Sequence, residues 1–155
     1  MHTRESERND SLSTVLDTEV LLVDRHPTAW ERIRLRRAVG WRTHDPAAVE
    51  ESVDGAVFGV CAEVGGQAVG MVRVVGDGRT CFYVHEVIVH PEYQGMGVGR
   101  RLMDRVMEHV AENACRNAFV ALIAEEGKEG FYEPFGFLRL PCDGHGSGME
   151  RYWER

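Results

Sequence analysis

At 155 residues the chain has the length of one ordinary domain, and 43% hydrophobic residues are enough for a packed core without a metal or a disulfide. Its formal net charge of -7 argues against a general nucleic-acid binder, which would carry a basic face, and suits a protein that attracts cations. No apolar run approaches the ~18 residues of a membrane span, the polar start lacks the apolar core of a signal peptide, and Cys61, Cys81, Cys115 and Cys142 match no zinc or disulfide pattern, so they read as reduced thiols of a cytoplasmic protein.

Residues 1–17 are rich in Ser, Glu, Arg and Asp and read as a flexible tail, ahead of a single domain over 18–155. Residues 19–24 read as a first strand. Thr28 and Glu31 have the form of a capping box, opening a helix to about Val39 with Trp30, Ile33 and Val39 on its buried side. Asp45-Pro46 opens a second, short helix to about Val53. Residues 56–64, 67–75 and 80–89 are strand-like, and the glycine turns between them predict an antiparallel meander. The period then changes: Val98, Leu102, Val106 and Val110 recur every fourth residue, with Arg100, Asp104 and Glu108 on the opposite face. The apolar run 117–124 predicts a buried strand, parallel to the one before the helix. A short helix over about 128–134 and a last strand over 149–153 complete the reading.

The most informative stretch is 87–100, VIVHPEYQGMGVGR. A β-branched strand enters a turn with three alternate glycines, and an amphipathic helix follows at once. Glycine lets backbone N–H groups face outward, and a helix start adds unpaired N–H groups and a positive dipole end. Gln94, Gly95, Met96, Gly97, Val98, Gly99 and Arg100 therefore form an anion site shaped for phosphate. A Walker loop would need Gly-Lys-Ser/Thr, and a dinucleotide fingerprint would need G-x-G-x-x-G with a later acidic residue; neither is present.

Gln94, Gly97 and Gly99 fit Gln/Arg-x-x-Gly-x-Gly/Ala, and this resembles motif A of the GCN5-related N-acetyltransferase superfamily. Gly130-Phe131-Tyr132-Glu133-Pro134-Phe135-Gly136-Phe137 resembles its motif B. The resemblance covers about 55–140 well. It implies an α/β (α+β) fold with a mixed, mostly antiparallel sheet of six to seven strands, split near the cofactor, and about four helices. It also implies acetyl-CoA as acyl donor, with Val87, Ile88 and Val89 offering backbone groups to the pantetheine arm and Phe131 lining it. Where many relatives carry Asn and Ala before the motif B tyrosine, this chain has Glu125 and Lys128.

Acetyl transfer to an amine requires removal of a proton from an ammonium of pKa ~10, donors for the thioester oxygen and stabilisation of the departing thiolate. By resemblance Tyr132 is the general acid. For the base the candidates are Glu86 first and His85 second; strand alternation puts Tyr83 and His85 on one face and Glu86 on the other unless a bulge intervenes. Trp41 and Tyr83 are candidates for the acceptor wall. His90 reads as finishing its strand and His145 as part of a loop. No metal is implied. The expected partner is a small-molecule primary amine, cationic rather than acidic because Glu50, Glu51, Asp54 and Glu86 fall near the expected mouth, with no nucleic acid, no membrane, and a homodimer as the family's common habit. Alternatives are a protein N-terminal or lysine acetyltransferase and a non-catalytic acyl-CoA sensor of the same fold.

Overall fold

Two glycines in left-handed conformation, Gly65 at φ 56° and Gly66 at φ 77°, make a two-residue turn whose twist suits a hairpin. It joins strand β2 (Phe58–Val64) to β3 (Gln67–Gly76). At the other end of β3 the chain turns around Asp77, whose carboxylate accepts hydrogen bonds from the N–H groups of Arg79, Thr80 and Cys81. Gly76 is required there, because a Cβ would lie 2.1 Å from the Cys81 carbonyl oxygen. β4 (Cys81–Val89) follows. The computed structural model describes residues 19–154, so the expected tail over 1–17 lies outside the described residues. With β1 (Leu21–Val23) and β5 (Phe119–Ala121) the sheet runs β1-β2-β3-β4-β5, antiparallel except for the β4–β5 pair.

The helices are α1 (Ala29–Ala38), α2 (Pro46–Glu51), α3 (Val98–Asn113) and α4 (Glu129–Tyr132). α3 is the crossover that a parallel pair needs. Its buried Val98, Leu102, Met103, Val106 and Val110 cover one face of the sheet, against Val60, Val72, Val74, Phe82 and Val84. α1 covers the other face, where Leu35 packs with Cys61, Ala68, Met71 and Ile88. No helix among the described residues is long and apolar enough to cross a membrane.

The buried face of α1 differs from its expected one. The capping box forms, with Glu31 N donating to Thr28 Oγ1 at 3.2 Å and Thr28 N to Glu31 Oε2 at 2.9 Å. But Trp30 is 58% exposed, lying under the Arg34 guanidinium, while Glu31 and Arg32 face the sheet. Both polar groups have partners there. Glu31 receives two 2.8 Å hydrogen bonds from Arg25, which hold its pKa down to about 2. Arg32 pairs with Glu86 on β4. Buried charge is tolerable when paired in this way.

β4 carries a bulge. Met71 pairs with Ile88 and Arg73 with His85, so Val72 stands opposite two residues, Glu86 and Val87. Glu86 sits at φ 57°, the left-handed region a bulge can require. The extra residue brings Glu86 onto the side of His85, with His85 Nδ1 3.7 Å from Glu86 Oε1. β4 and β5 pair only through Cys81↔Phe119, Phe82↔Val120 and Tyr83↔Ala121. Beyond Tyr83 the two strands part and the sheet is split.

Five strands form among the described residues, not six or seven. Residues 149–153 are irregular, with Met149 92% and Trp153 73% exposed. So short a segment gains order only by pairing with an edge, and β5 has just three strand residues to offer. β5 is itself half open: Phe119 is 63% exposed. All four cysteines are free, and burial pushes the Cys61 thiol up to about 12.

Removing one partner of a buried ion pair leaves the other charge uncompensated. Glu86→Gln should therefore lower the free energy of unfolding by about 3 kcal/mol, read by urea denaturation at pH 7. A change under about 1 kcal/mol would show that the pair contributes no more than a surface bridge.

Candidate active site

The split in the sheet opens into a cleft of about 1260 Å³. One wall is the outer edge of β4 from Tyr83 to Val89; the facing wall is residues 122–125, Lys128, Phe131 and Tyr132. The start of α3 closes one end. Trp41, Arg42 and His44 from the α1–α2 connection, with Tyr152, line the other.

At the α3 end the backbone makes an anion cradle. Gly95 has φ 75° and Gly97 φ 78°, and a Cβ built at either would meet nothing within 4 Å, so both face open space. Gly97 caps α3 with no side chain, leaving the N–H groups of Val98, Gly99 and Arg100 without a backbone acceptor among the described residues. Gly99 has a different role: a Cβ there would press on the Phe131 ring at 3.4 Å. Gln94 Nε2 donates to the Val89 carbonyl at 2.9 Å, tying the turn to the strand. Gln94, Gly95, Gly97, Val98, Gly99, Arg100, Val87, Ile88, Val89 and Phe131 all line the cleft. Met96 does not line it and is 61% exposed. The open N–H groups and the empty space over the glycines fit a phosphate-bearing cofactor.

Glu86 is unsuited to the role of base. Its side chain is fully buried, and Arg32 grips both oxygens, Nε to Oε2 at 3.0 Å and Nη2 to Oε1 at 2.7 Å. Arg36 Nη1 lies 3.4 Å and Arg73 Nη1 3.9 Å from Oε1. Burial alone would raise the carboxyl pKa; the Arg32 hydrogen bonds and the neighbouring positive charges outweigh it and hold the pKa below the ordinary value. The missed partners, Arg32, Arg36 and Arg73, are 54, 50 and 13 residues away in sequence, and no local pattern announces them.

His85 is better placed. Its side chain is 35% exposed and lines the cleft, with the Tyr83 ring centroid 5.9 Å away. Burial lowers its pKa; Glu86 opposes that, and Arg73, Arg36 and Arg32 reinforce it. The imidazole is neutral at pH 7 and can accept a proton. Tyr83 also lines the cleft, its phenol pKa raised by burial and by Glu150.

Tyr132 stands on the opposite wall, packed edge-on against Phe131 at 4.9 Å and Phe137 at 6.3 Å. Burial, with a smaller contribution from Glu125, pushes its phenol up to about 12. It remains a donor at any working pH. Glu125 and Lys128 both line the cleft.

His90 and His145 lie apart from this chemistry. His90 Nδ1 accepts from Glu92 N at 3.3 Å and ends β4. His145 is in a turn with Cys142. Among the described residues no group of three or more His, Cys, Asp and Glu side chains could hold a metal ion. Glu50, Glu51 and Asp54 do not line the cleft, and Glu86 is matched by arginine, so the expected acidic mouth is not there.

A model of the acetyltransferase (GNAT) family matches residues 20–137. The chloroplastic GCN5-related N-acetyltransferase 1 of Arabidopsis thaliana is 32% identical over 67% of this chain and 53% of its own length. The chloroplastic serotonin N-acetyltransferase 2 of Oryza sativa subsp. japonica is 37% identical over 49% of this chain and 37% of its own. The chain thus spans about half or less of these curated relatives. Among solved structures, a GNAT-family acetyltransferase from Streptococcus pneumoniae TIGR4 superposes with a TM-score of 0.71 at 27% identity, covering 88% of this chain and 100% of that one.

Aspartate tolerates left-handed backbone better than most residues, so Gly97→Asp should fold while placing a carboxylate in the cradle. Acetyl-CoA should raise the melting temperature of the wild type and leave that of folded Gly97→Asp unmoved, because a ligand stabilises only the state it binds. An undiminished shift would remove the cradle from the site.

Proposed function

The chain belongs to the acetyltransferase (GNAT) family, and from that premise we propose that it transfers an acetyl group from acetyl-CoA to a primary amine by direct attack with both substrates in the cleft. The observation that carries this reading is the arrangement along β4: a backbone edge without a strand partner beyond Tyr83 among the described residues, leading into the cradle of Gly95–Arg100, with neutral His85 on one wall and protonated Tyr132 on the other.

The residues divide the work. The N–H groups at the start of α3 would hold the pyrophosphate, and the outer edge of Val87–Val89 the pantetheine amides. Acetyl-CoA supplies the activated acyl group. His85 takes the ammonium proton, directly or through water, and Tyr132 donates a hydrogen bond to the sulfur as negative charge develops there. A phenol near 12 does not readily surrender its proton to a thiolate whose conjugate acid is near ~8.5, so Tyr132 acts by hydrogen bonding, and the proton that the sulfur finally carries is one shed by the attacking nitrogen. Glu86 becomes a positioning residue: its ion pair with Arg32 holds the bulge that orients His85.

The expected acceptor remains a small molecule, with neither nucleic acid nor membrane as partner. The open edge of β5 and exposed Phe119, Ile123 and Leu138 support a homodimer.

Two measurements test the roles. Tyr132→Phe should keep acetyl-CoA affinity while kcat falls roughly 10- to 1000-fold; wild-type turnover would reduce Tyr132 to packing. A base works only while unprotonated, so kcat/KM should fall as pH drops through the His85 pKa, with a midpoint below the ordinary ~6.5, for an amine whose own pKa is low enough not to interfere. His85→Gln should abolish that limb and depress the plateau. An unaltered limb and plateau would assign the base elsewhere.

A further inference from the structure

The charge at the acceptor end of the cleft is opposite to that of the chain as a whole. Beneath β4, three guanidiniums, Arg32, Arg36 and Arg73, gather on the single carboxylate of Glu86. Arg32 takes both oxygens in a near-ideal fork, so the other two are under-compensated. Among the described residues Arg73 Nε is buried with no hydrogen-bond partner, and the Arg73 pKa is lowered, first by burial and then by Arg32.

Arg36 carries this excess to the cleft. Its Nε donates to the Arg42 carbonyl at 2.6 Å and its guanidinium lies 5.5 Å from the Trp41 ring centroid, which fixes both loop residues in place. The Arg42 side chain then lies over Tyr152, 5.4 Å from the ring centroid, and has no carboxylate partner among the described residues. Arg36 and Arg42 both line the cleft, and Tyr152 beneath Arg42 lies near Tyr83, towards the start of β4, whereas the phosphate cradle follows its end. The carboxylates that line the cleft besides the arginine-matched Glu86 are Glu150, near Tyr83, and Glu125, near Tyr132, both exposed. A chain of net charge -7 thus presents two guanidiniums, backed by a buried positive excess, where the acceptor should sit.

We infer that the acceptor is an amine whose far end carries an anionic group, a carboxylate or a phosphate, held by Arg42 with Arg36 behind it while Trp41 and Tyr152 flank the connecting chain. This deepens the transfer reading and rests on it. A planar, permanently charged guanidinium suits such an anion. Repulsion from the same arginines would disfavour polyamines and other amines with a second positive charge.

The test measures thiol release from acetyl-CoA with amines paired by charge. One pair is an ω-amino acid and its carboxamide; the other is O-phosphoethanolamine and ethanolamine. The anionic member of at least one pair should show a kcat/KM higher by about tenfold or more, as a charge-assisted hydrogen bond allows, and the preferred pair tells carboxylate from phosphate. In Arg42→Gln that ratio should collapse towards one, while Arg42→Lys retains part of it. Equal rates within both pairs, or preference for the uncharged member, would overturn the inference and leave acetyl transfer standing. A preference undiminished in Arg42→Gln would overturn the role of Arg42. If no amine of any charge releases thiol from a protein that still binds acetyl-CoA, the transfer reading falls, and this inference with it.

Discussion

A carboxylate with no access to water must be matched by positive charge within the protein, and Glu86 obliges the surrounding elements to supply it. Arg32 and Arg36 come from α1 and Arg73 from β3, so the ion pairs bind the helix to the sheet on the face that α3 does not cover. The left-handed backbone at Glu86 costs on the order of 1–3 kcal/mol. It persists because the side chain has hydrogen-bonded partners that hold it there. The bulge that results changes which residues share a face, and it places His85 against the cleft with a guanidinium cluster behind it.

The consequences run along β4. Up to Tyr83 it pairs with both β3 and β5; from Val84 on, through the bulge, only β3 remains, and among the described residues the outer backbone edge is left without a strand. An unpaired edge is normally a liability. Here it opens onto a cleft whose far end is a helix start with unpaired N–H groups, so one strand presents both a peptide-like binding edge and an anion site. Burial holds the His85 pKa below its ordinary value against the opposing pull of Glu86, and the arginines that satisfy Glu86 reinforce the lowering. The same cluster therefore bears on stability, on the protonation of His85 and on the charge presented to the cleft.

What could be read in the sequence was local. The Thr28–Glu31 capping box, the Gly65-Gly66 turn, the four-residue period of α3 and the glycine turn before it depend on residues a few positions apart, and each formed where expected. Trp30 failed because a helical period cannot tell that Glu31 and Arg32 will find buried partners and take the inner face. The burial of Glu86 was illegible for a similar reason: alternation assumes an unbroken ladder, and its arginines lie far off in the chain. A strand over 149–153 requires an edge to receive it, which composition does not reveal. Met96 matched a motif position, yet its side chain stands clear of the cleft.

The central claim is that the phosphate end of acetyl-CoA lies on the Gly95–Arg100 turn and its arm along the outer edge of β4. Amide chemical shifts recorded by two-dimensional NMR during titration with acetyl-CoA test it most directly. The account predicts the largest movements at the N–H groups of Val87, Val89 and Gly95–Arg100, with those of β1 and β2 nearly still. Saturable binding that leaves the turn unmoved and shifts amides elsewhere would contradict it.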